Sequence, residues 1–193
     1  MKAGIRLVAP AVVAAWGMAL PARAGDTICF EAEIVSEIRK PVQVTEEAGA
    51  PMPPSGKKVK GASGGKYLEI PQGKGNPPEV TNGVAIIRFD VAAEGKYYLW
   101  GRTWWEDSCG NSFTLRIDDG KPFGFGQDGT YARWHWVRMP ALRFRLSKGT
   151  HTLQVINRED GARLDQVLFT TSKRFVPVGV EDSTTTPHAP AKD

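Results

Sequence analysis

GKYYLWGRTWWEDSCGNSFTLRIDDG, residues 95–120, decides the fold. Over residues 96–104 the side chains alternate with a period of two, Tyr97, Leu99, Gly101 and Thr103 on one face and Tyr98, Trp100, Arg102 and Trp104 on the other. That is the pattern of a β-strand. A polar stretch holding Cys109 follows, and residues 112–117 then repeat the pattern with Phe113, Leu115 and Ile117 as the inward set. Asp118-Asp119-Gly120 closes it, because Asp and Gly tolerate the left-handed backbone of a tight hairpin turn. Worked outward, the same period predicts strands over residues 29–35, 66–70, 84–91, 134–139, 142–146, 151–157 and 165–171, with Lys148-Gly149 and Asp160-Gly161 as further turns. Residues 48–65 and 71–78 are rich in Pro, Gly, Ser and Lys and read as loops. No window of ten or more residues beyond the N-terminal stretch has helical periodicity. Many short alternating strands with frequent turns predict an all-β fold, a β-sandwich jelly roll.

The ends of the chain differ from this pattern. Residues 1–24 begin with Lys2 and Arg6, continue through an apolar run and finish at Ala22-Arg23-Ala24, which predicts a signal peptide cleaved before Gly25. One domain is expected over residues 25–180, and residues 181–193, EDSTTTPHAPAKD, are expected to form a disordered tail. The chain has 25 Lys+Arg against 21 Asp+Glu, but three of the bases lie in the first 24 residues, so the mature protein is nearly neutral. Counterion release requires a concentrated basic surface, which argues against a nucleic-acid partner. The apolar run is interrupted by Pro10 and Gly17, no later stretch approaches the length of a membrane span, and a secreted or periplasmic monomer is expected. In such an oxidising compartment Cys29 and Cys109 are expected to form a disulfide, worth roughly 4 kcal/mol in the chain-entropy model.

Five of the six tryptophans lie between residues 100 and 136. Trp104, Trp105 and Trp134 fall at strand ends, where a flat aromatic face can stack on the C–H face of a sugar ring, whereas Trp100 and Trp136 are assigned to the core. Glu31 and Glu33 are two apart on one predicted strand, so their carboxylates point the same way and repel. A hard cation such as Ca²⁺ would resolve that repulsion, and Asp165 could face the same edge if the last strand lies beside the first. A solvated face with basic partners is the alternative. A glycosidase acid–base pair would flank a cleft from different elements, which two neighbours on one strand do not do. There is no G-x-S-x-G, and the three histidines lack metal-ligand spacing. Arg158 and Arg163 lie in a charged loop, where each could donate to a carboxylate or to hydroxyls.

Six segments occur in a telling order: FEAE (30–33), GKYYLWGR (95–102), NSFTLRIDDG (111–120), WHW (134–136), GTHTL (149–153) and RLDQVLFT (163–170). Together, over residues 27–176, they resemble the carbohydrate-binding modules of families 6 and 35, which share a galactose-binding-like jelly roll. The resemblance implies a structural calcium on Glu31, Glu33 and Asp165, and a polysaccharide or oligosaccharide glycan bound in the loops by Trp134 and Arg163. Arginine at 163, where many family 6 modules have asparagine, departs from the usual neutral-sugar contact and makes an acidic sugar conceivable beside a neutral one. The loop GNPPEV (75–80) lacks a second aromatic wall, for which Trp104, Trp105 or Tyr131 would substitute, and Asn111 completes the expected ligand set. The expected function is therefore a secreted, non-catalytic glycan binder. Its alternatives are a protein-interaction or structural domain of the cell envelope and a glycan-active enzyme.

Overall fold

The computed structural model describes residues 27–75 and 83–184. The predicted signal peptide, most of the GNPPEV loop and the end of the predicted tail lie outside these residues. Twelve strands are described: β1 (Thr27–Glu31), β2 (Glu37–Arg39), β3 (Gln43–Glu46), β4 (Lys66–Glu69), β5 (Val84–Val91), β6 (Gly95–Trp104), β7 (Ser112–Ile117), β8 (Phe123–Gly126), β9 (His135–Arg138), β10 (Phe144–Leu146), β11 (Gly149–Ile156) and β12 (Arg163–Thr170). They form two antiparallel sheets, as the sequence predicts. In the larger, β6 and β12 are central: β12 pairs with β4 at its start and with β1 beyond, and β6 pairs with β10 at its start and with β9 beyond, while β3 extends the β4 edge. The smaller sheet runs β2-β5-β11-β7-β8.

Alternation fills the space between the sheets. Ala85, Ile87, Phe89 and Val91 of β5, Phe113, Leu115 and Ile117 of β7, and Leu153 and Val155 of β11 meet Phe30, Leu99, Val167 and Phe169 of the larger sheet. The Phe89 ring stacks against both Phe30 and Phe169, with centroids 5.0 Å from each. Such pairs add about 0.5–1.5 kcal/mol each beyond the area they bury.

Several expectations are corrected. The first strand ends at Glu31, and Ala32 and Glu33 turn away after the Ala32 amide donates to the Asp165 carbonyl (2.8 Å). Strands β2, β3 and β8 escape the sequence pattern for different reasons: β2 is wholly exposed at an edge, QVTE is mostly polar, and the glycines of FGFG read as turn residues although Phe123 and Phe125 alternate inward. Glu181 to Thr184, assigned to a tail, dock on the larger sheet: the Glu181 amide donates to the Gln166 amide oxygen (3.0 Å) and the Thr184 amide to the Cys29 carbonyl (2.9 Å). No helix among the described residues is long and apolar enough to cross a membrane.

The expected disulfide is absent, and both thiols are free. Cys29 pairs with Leu168 in mid-sheet, five residues along β12 from Arg163, which itself faces Trp104 at the loop end. Five residues of strand span roughly 16 Å. Cys109 lies beyond that end, in a loop closed on itself by the Glu106 amide and Gly110 carbonyl (3.0 Å), whereas a bridge needs α-carbons within about 7 Å. Burial and the nearby Glu31 push the Cys29 thiol up to about 12, so it stays a protonated apolar group.

Candidate functional site

The outer face of the larger sheet carries most of the residues singled out in the sequence. Trp100 and Trp104 do point away from the main core, as alternation requires, but both are buried again. Trp100 packs with Cys29, Leu168 and Phe175, and Trp104 packs with Tyr67, Val59 and Trp134. Two segments supply the cover. The 55–65 loop brings Val59 and Ala62 over Trp104, and residues 172–184 cross the sheet as a strap, with the Gly179 carbonyl accepting the Trp136 indole N–H at 2.9 Å.

Trp105, predicted to contact ligand, is fully buried in the main core beside Phe113, and its indole N–H donates to Asp128 at 3.0 Å. It has no face left for a sugar. Trp104 is 5% exposed and is corrected likewise. Trp134 retains part of its surface, standing edge-on to Trp104 (5.8 Å) and Tyr67 (5.6 Å) with the Arg102 guanidinium 5.4 Å from its ring centre. Tyr131 is exposed. Asn111 is buried, and its amide N–H donates to the Glu159 carboxylate at 3.1 Å, which ties the β6–β7 loop to the β11–β12 loop.

Arg163 is not free to read a ligand. Its Nε donates to Glu69 at 2.9 Å, and its Nη1 donates to Glu106 at 2.9 Å and to the Gly161 carbonyl at 3.0 Å, with all three charged groups buried. The second oxygen of Glu69 accepts from Thr45 (2.8 Å) and that of Glu106 from the Ser55 amide (2.6 Å). This cluster locks β3, β4, β12 and two loops together. Tyr67, pushed up to about 12 by burial and by Glu69, stays a neutral phenol beside it.

The three acids of the predicted metal site lie at the junction of β1 and β12. One Glu31 oxygen accepts from the Ser63 hydroxyl (2.9 Å), the Gln166 amide (2.9 Å) and the Ser183 hydroxyl (3.0 Å). Asp165 accepts from the Ser63 amide (2.8 Å) and is paired with the buried Arg102 guanidinium. The second oxygens of Glu31 and Glu33 are buried with no partner among the described residues. Burial, reinforced by Glu31 and Asp165, pushes Glu33 up to about 8; burial also raises Asp165 to about 7, against the opposing pull of Arg102. Two orphaned carboxylate oxygens fit a hard dication, but Asp165 is already committed to Arg102. Among the described residues no three His, Cys, Asp or Glu side chains converge as a ready cage.

A cleft of about 690 Å³ lies elsewhere on the loop end, lined by Lys40, Pro41, Gln43, Pro71, Gly73, Lys74 and Gly75. Gln43, Glu69, Arg163 and Trp104 are register partners in a row across the sheet, so the cleft opens at the β3 end of the row whose other end holds the tryptophans. The wall at 71–75 is pinned to the β11–β12 loop, where Asp160 accepts from the Gln72 side chain (2.7 Å) and the Gly73 amide (2.5 Å) and Asn157 donates to the Lys74 carbonyl (3.0 Å). A β-carbon on Gly75 would fall 2.5 Å from the Asp160 nitrogen, so only glycine permits that approach. Sequence reasoning missed this cleft because its residues belong to segments that read only as loops.

No family model matches the chain, and no curated protein matches it. Solved structures do. A family 35 carbohydrate-binding module from Clostridium thermocellum superposes with a TM-score of 0.52 at 14% identity, over 74% of this chain and 97% of the module. A GH26-CBM35 β-(1,4)-mannanase of Podospora anserina gives 0.55 at 15% identity over 79% of this chain, and an exo-β-1,3-galactanase of Phanerochaete chrysosporium gives 0.53 at 15% over 75%. This chain spans 29% of each of those enzymes. At these identities the likeness is one of fold: the chain has a two-sheet β-sandwich like that of the family 35 carbohydrate-binding modules.

Proposed function

We propose that this protein is an exported, non-catalytic carbohydrate-binding protein that takes an acidic glycan into the loop-end cleft. The cleft carries the reading. Two proline rings offer apolar surface to the C–H face of a sugar, the Gln43 amide can meet hydroxyls, and the ammonium groups of Lys40 and Lys74 complement a carboxylate. The two opposed carboxylates that a glycosidase needs are not among its described lining residues. The shared fold with sugar-binding modules supports the same class of ligand. Calcium belongs to this proposal as a structural ion held by Glu31 and Glu33, with Asp165 as the third oxygen source; it would supply the positive charge that their orphaned oxygens lack.

A glycan array probed with the mature protein, followed by calorimetry and a turnover assay on any glycan that binds, tests the reading. The expected result is selective binding of uronate-containing glycans without cleavage, weakened at least ~10-fold when Lys40→Gln and Lys74→Gln are combined. Full affinity in that variant, with loss in Trp134→Ala instead, moves the site to the tryptophan edge. Turnover makes the protein an enzyme. A second reading, a protein-interaction module, has one observation in its favour: Val176, Val178 and Val180 of the strap are 65%, 78% and 51% exposed. Protein capture through those valines with no glycan bound would select it.

A further inference from the structure

We infer that the outer face of the smaller sheet holds an oxyanion-binding site built on Arg158, Thr114 and Gln127, separate from the loop-end cleft. A cavity of about 280 Å³, close to the roughly 300 Å³ at which small-ligand sites begin, is lined there by Thr114, Gly124, Phe125, Gly126, Gln127 and Arg158. The smaller sheet folds so as to make this room. In β7, Phe113 and Leu115 point into the core and Thr114 therefore points out; in β8, Phe123 and Phe125 point in and Gly124 and Gly126 floor the outer face. Thr114 and Gly124 are register partners.

The two glycines keep this floor open. A β-carbon on Gly124 would fall 3.1 Å from Arg158 Nη1, because the arginine lies across that floor. A β-carbon on Gly126 would fall 2.1 Å from the Asn111 carbonyl, and the close approach there places Gln127, whose own amide donates to that carbonyl at 2.9 Å.

The donors converging on the cavity are uncommitted. Among the described residues the Arg158 guanidinium makes no hydrogen bond; its one ionic neighbour is Glu159 at 3.9 Å, and Glu159 spends its other oxygen on the Asn111 amide and the Ser112 hydroxyl (2.5 Å). The Thr114 hydroxyl and the Gln127 side-chain amide make none either among the described residues. Two residues further along the same face of β7, Arg116 has among the described residues only the neutral Gln154 as its hydrogen-bond partner (2.8 Å), and its Nε is buried without one. A planar guanidinium presents a fork of N–H groups matched to a two-oxygen acceptor, and Thr and Gln donors beside it suit the same group. The chemistry selected is therefore an oxyanion, a sugar carboxylate or a sulfate. Arg158 adjoins Asn157, which holds the cleft wall, so one loop supplies a wall to the cleft on one side and a guanidinium to this site on the other.

The test is a nuclear magnetic resonance titration of the ¹⁵N-labelled mature protein with sodium glucuronate, sodium sulfate and glucose at constant ionic strength. Glucuronate, sulfate or both should shift the Gly124, Gly126 and Gln127 amides and the Arg158 Nε–H, and glucose should not. Arg158→Gln should weaken the response at least ~10-fold, and Gly124→Ala, which keeps every charge but pushes the guanidinium aside, should weaken it as well. Both substitutions are at exposed or partly exposed positions, and the spectra report directly that the variants are folded. No shift at these groups with either anion, an equal response to glucose, or an unchanged response in Arg158→Gln overturns the inference. Because the readout is local, shifts confined to Lys40, Gln43 and Lys74 would sink this site while leaving the cleft standing, and the reverse pattern would sink the cleft.

Discussion

Arg163 illustrates how one residue's role changes when its neighbours are known. As the lone arginine before the final strand aspartate it reads as a ligand contact; with Glu69 and Glu106 at 2.9 Å on either side it is the cation that makes two buried carboxylates tolerable. Removing one partner of such a group strands the others without compensation, which typically costs 3–5 kcal/mol. Arg163→Met should accordingly lower unfolding free energy by about that amount in a denaturant titration. A variant of full stability that has lost only glycan binding would restore the ligand-contact role. Arg158, five residues earlier, has the opposite circumstance: among the described residues no carboxylate lies closer than 3.9 Å, and an open cavity lies in front of it.

At the scale of elements, the junction of β1 and β12 concentrates negative charge. Glu33 and Asp165 are raised from 4.5 and 3.8 to about 8 and about 7, first of all by burial. For an acid, a raised value in the fold means that the folded state holds protons the unfolded chain has already released, so stability declines as pH rises through the window. With a chelator present, unfolding free energy should fall between about pH 4.5 and pH 8. Calcium should remove much of that decline, since an ion bound only by the folded state at roughly 100 Kd adds about 2.7 kcal/mol. Equal stability at pH 5 and pH 8 in chelator, with no response to millimolar calcium, would sink the calcium assignment. Glu33→Gln should flatten the pH profile in chelator and reduce the calcium response.

Across the whole molecule, the strap of residues 172–184 converts an open sheet face into a second, smaller core. Phe175 packs on Cys29, Trp100 and Leu168, and Gln166 and Glu31 bond to Glu181 and Ser183. Ending the chain at Thr171 should remove at least about 1.5 kcal/mol of stability, the worth of one large buried apolar side chain, and should uncover Cys29. Intact-mass measurement after brief alkylation checks this: the full-length mature protein should take one label, on exposed Cys109, and the shortened protein two. Two labels on the full-length protein would mean that the strap does not protect the sheet.

The alternation in residues 95–120 and its repeats determined the class of fold and the inward sets of β7 and β11, because the period of two is a property of the strand itself and is written in local sequence. The E-A-E segment and Asp165 were also legible as one neighbourhood, since antiparallel pairing of the first and last strands follows from the resemblance. Local sequence does not say whether an outward side chain meets water or another segment. The fates of Trp104, Arg163 and Cys29 were therefore settled only by long-range contacts: the 55–65 loop, the strap, Glu69 and Glu106 bond across 51 to 152 residues of chain. The cleft and the Arg158 cavity are tertiary in the same sense. Each is a space left between loops or over glycines, and a space has no sequence signature until the chain has closed around it.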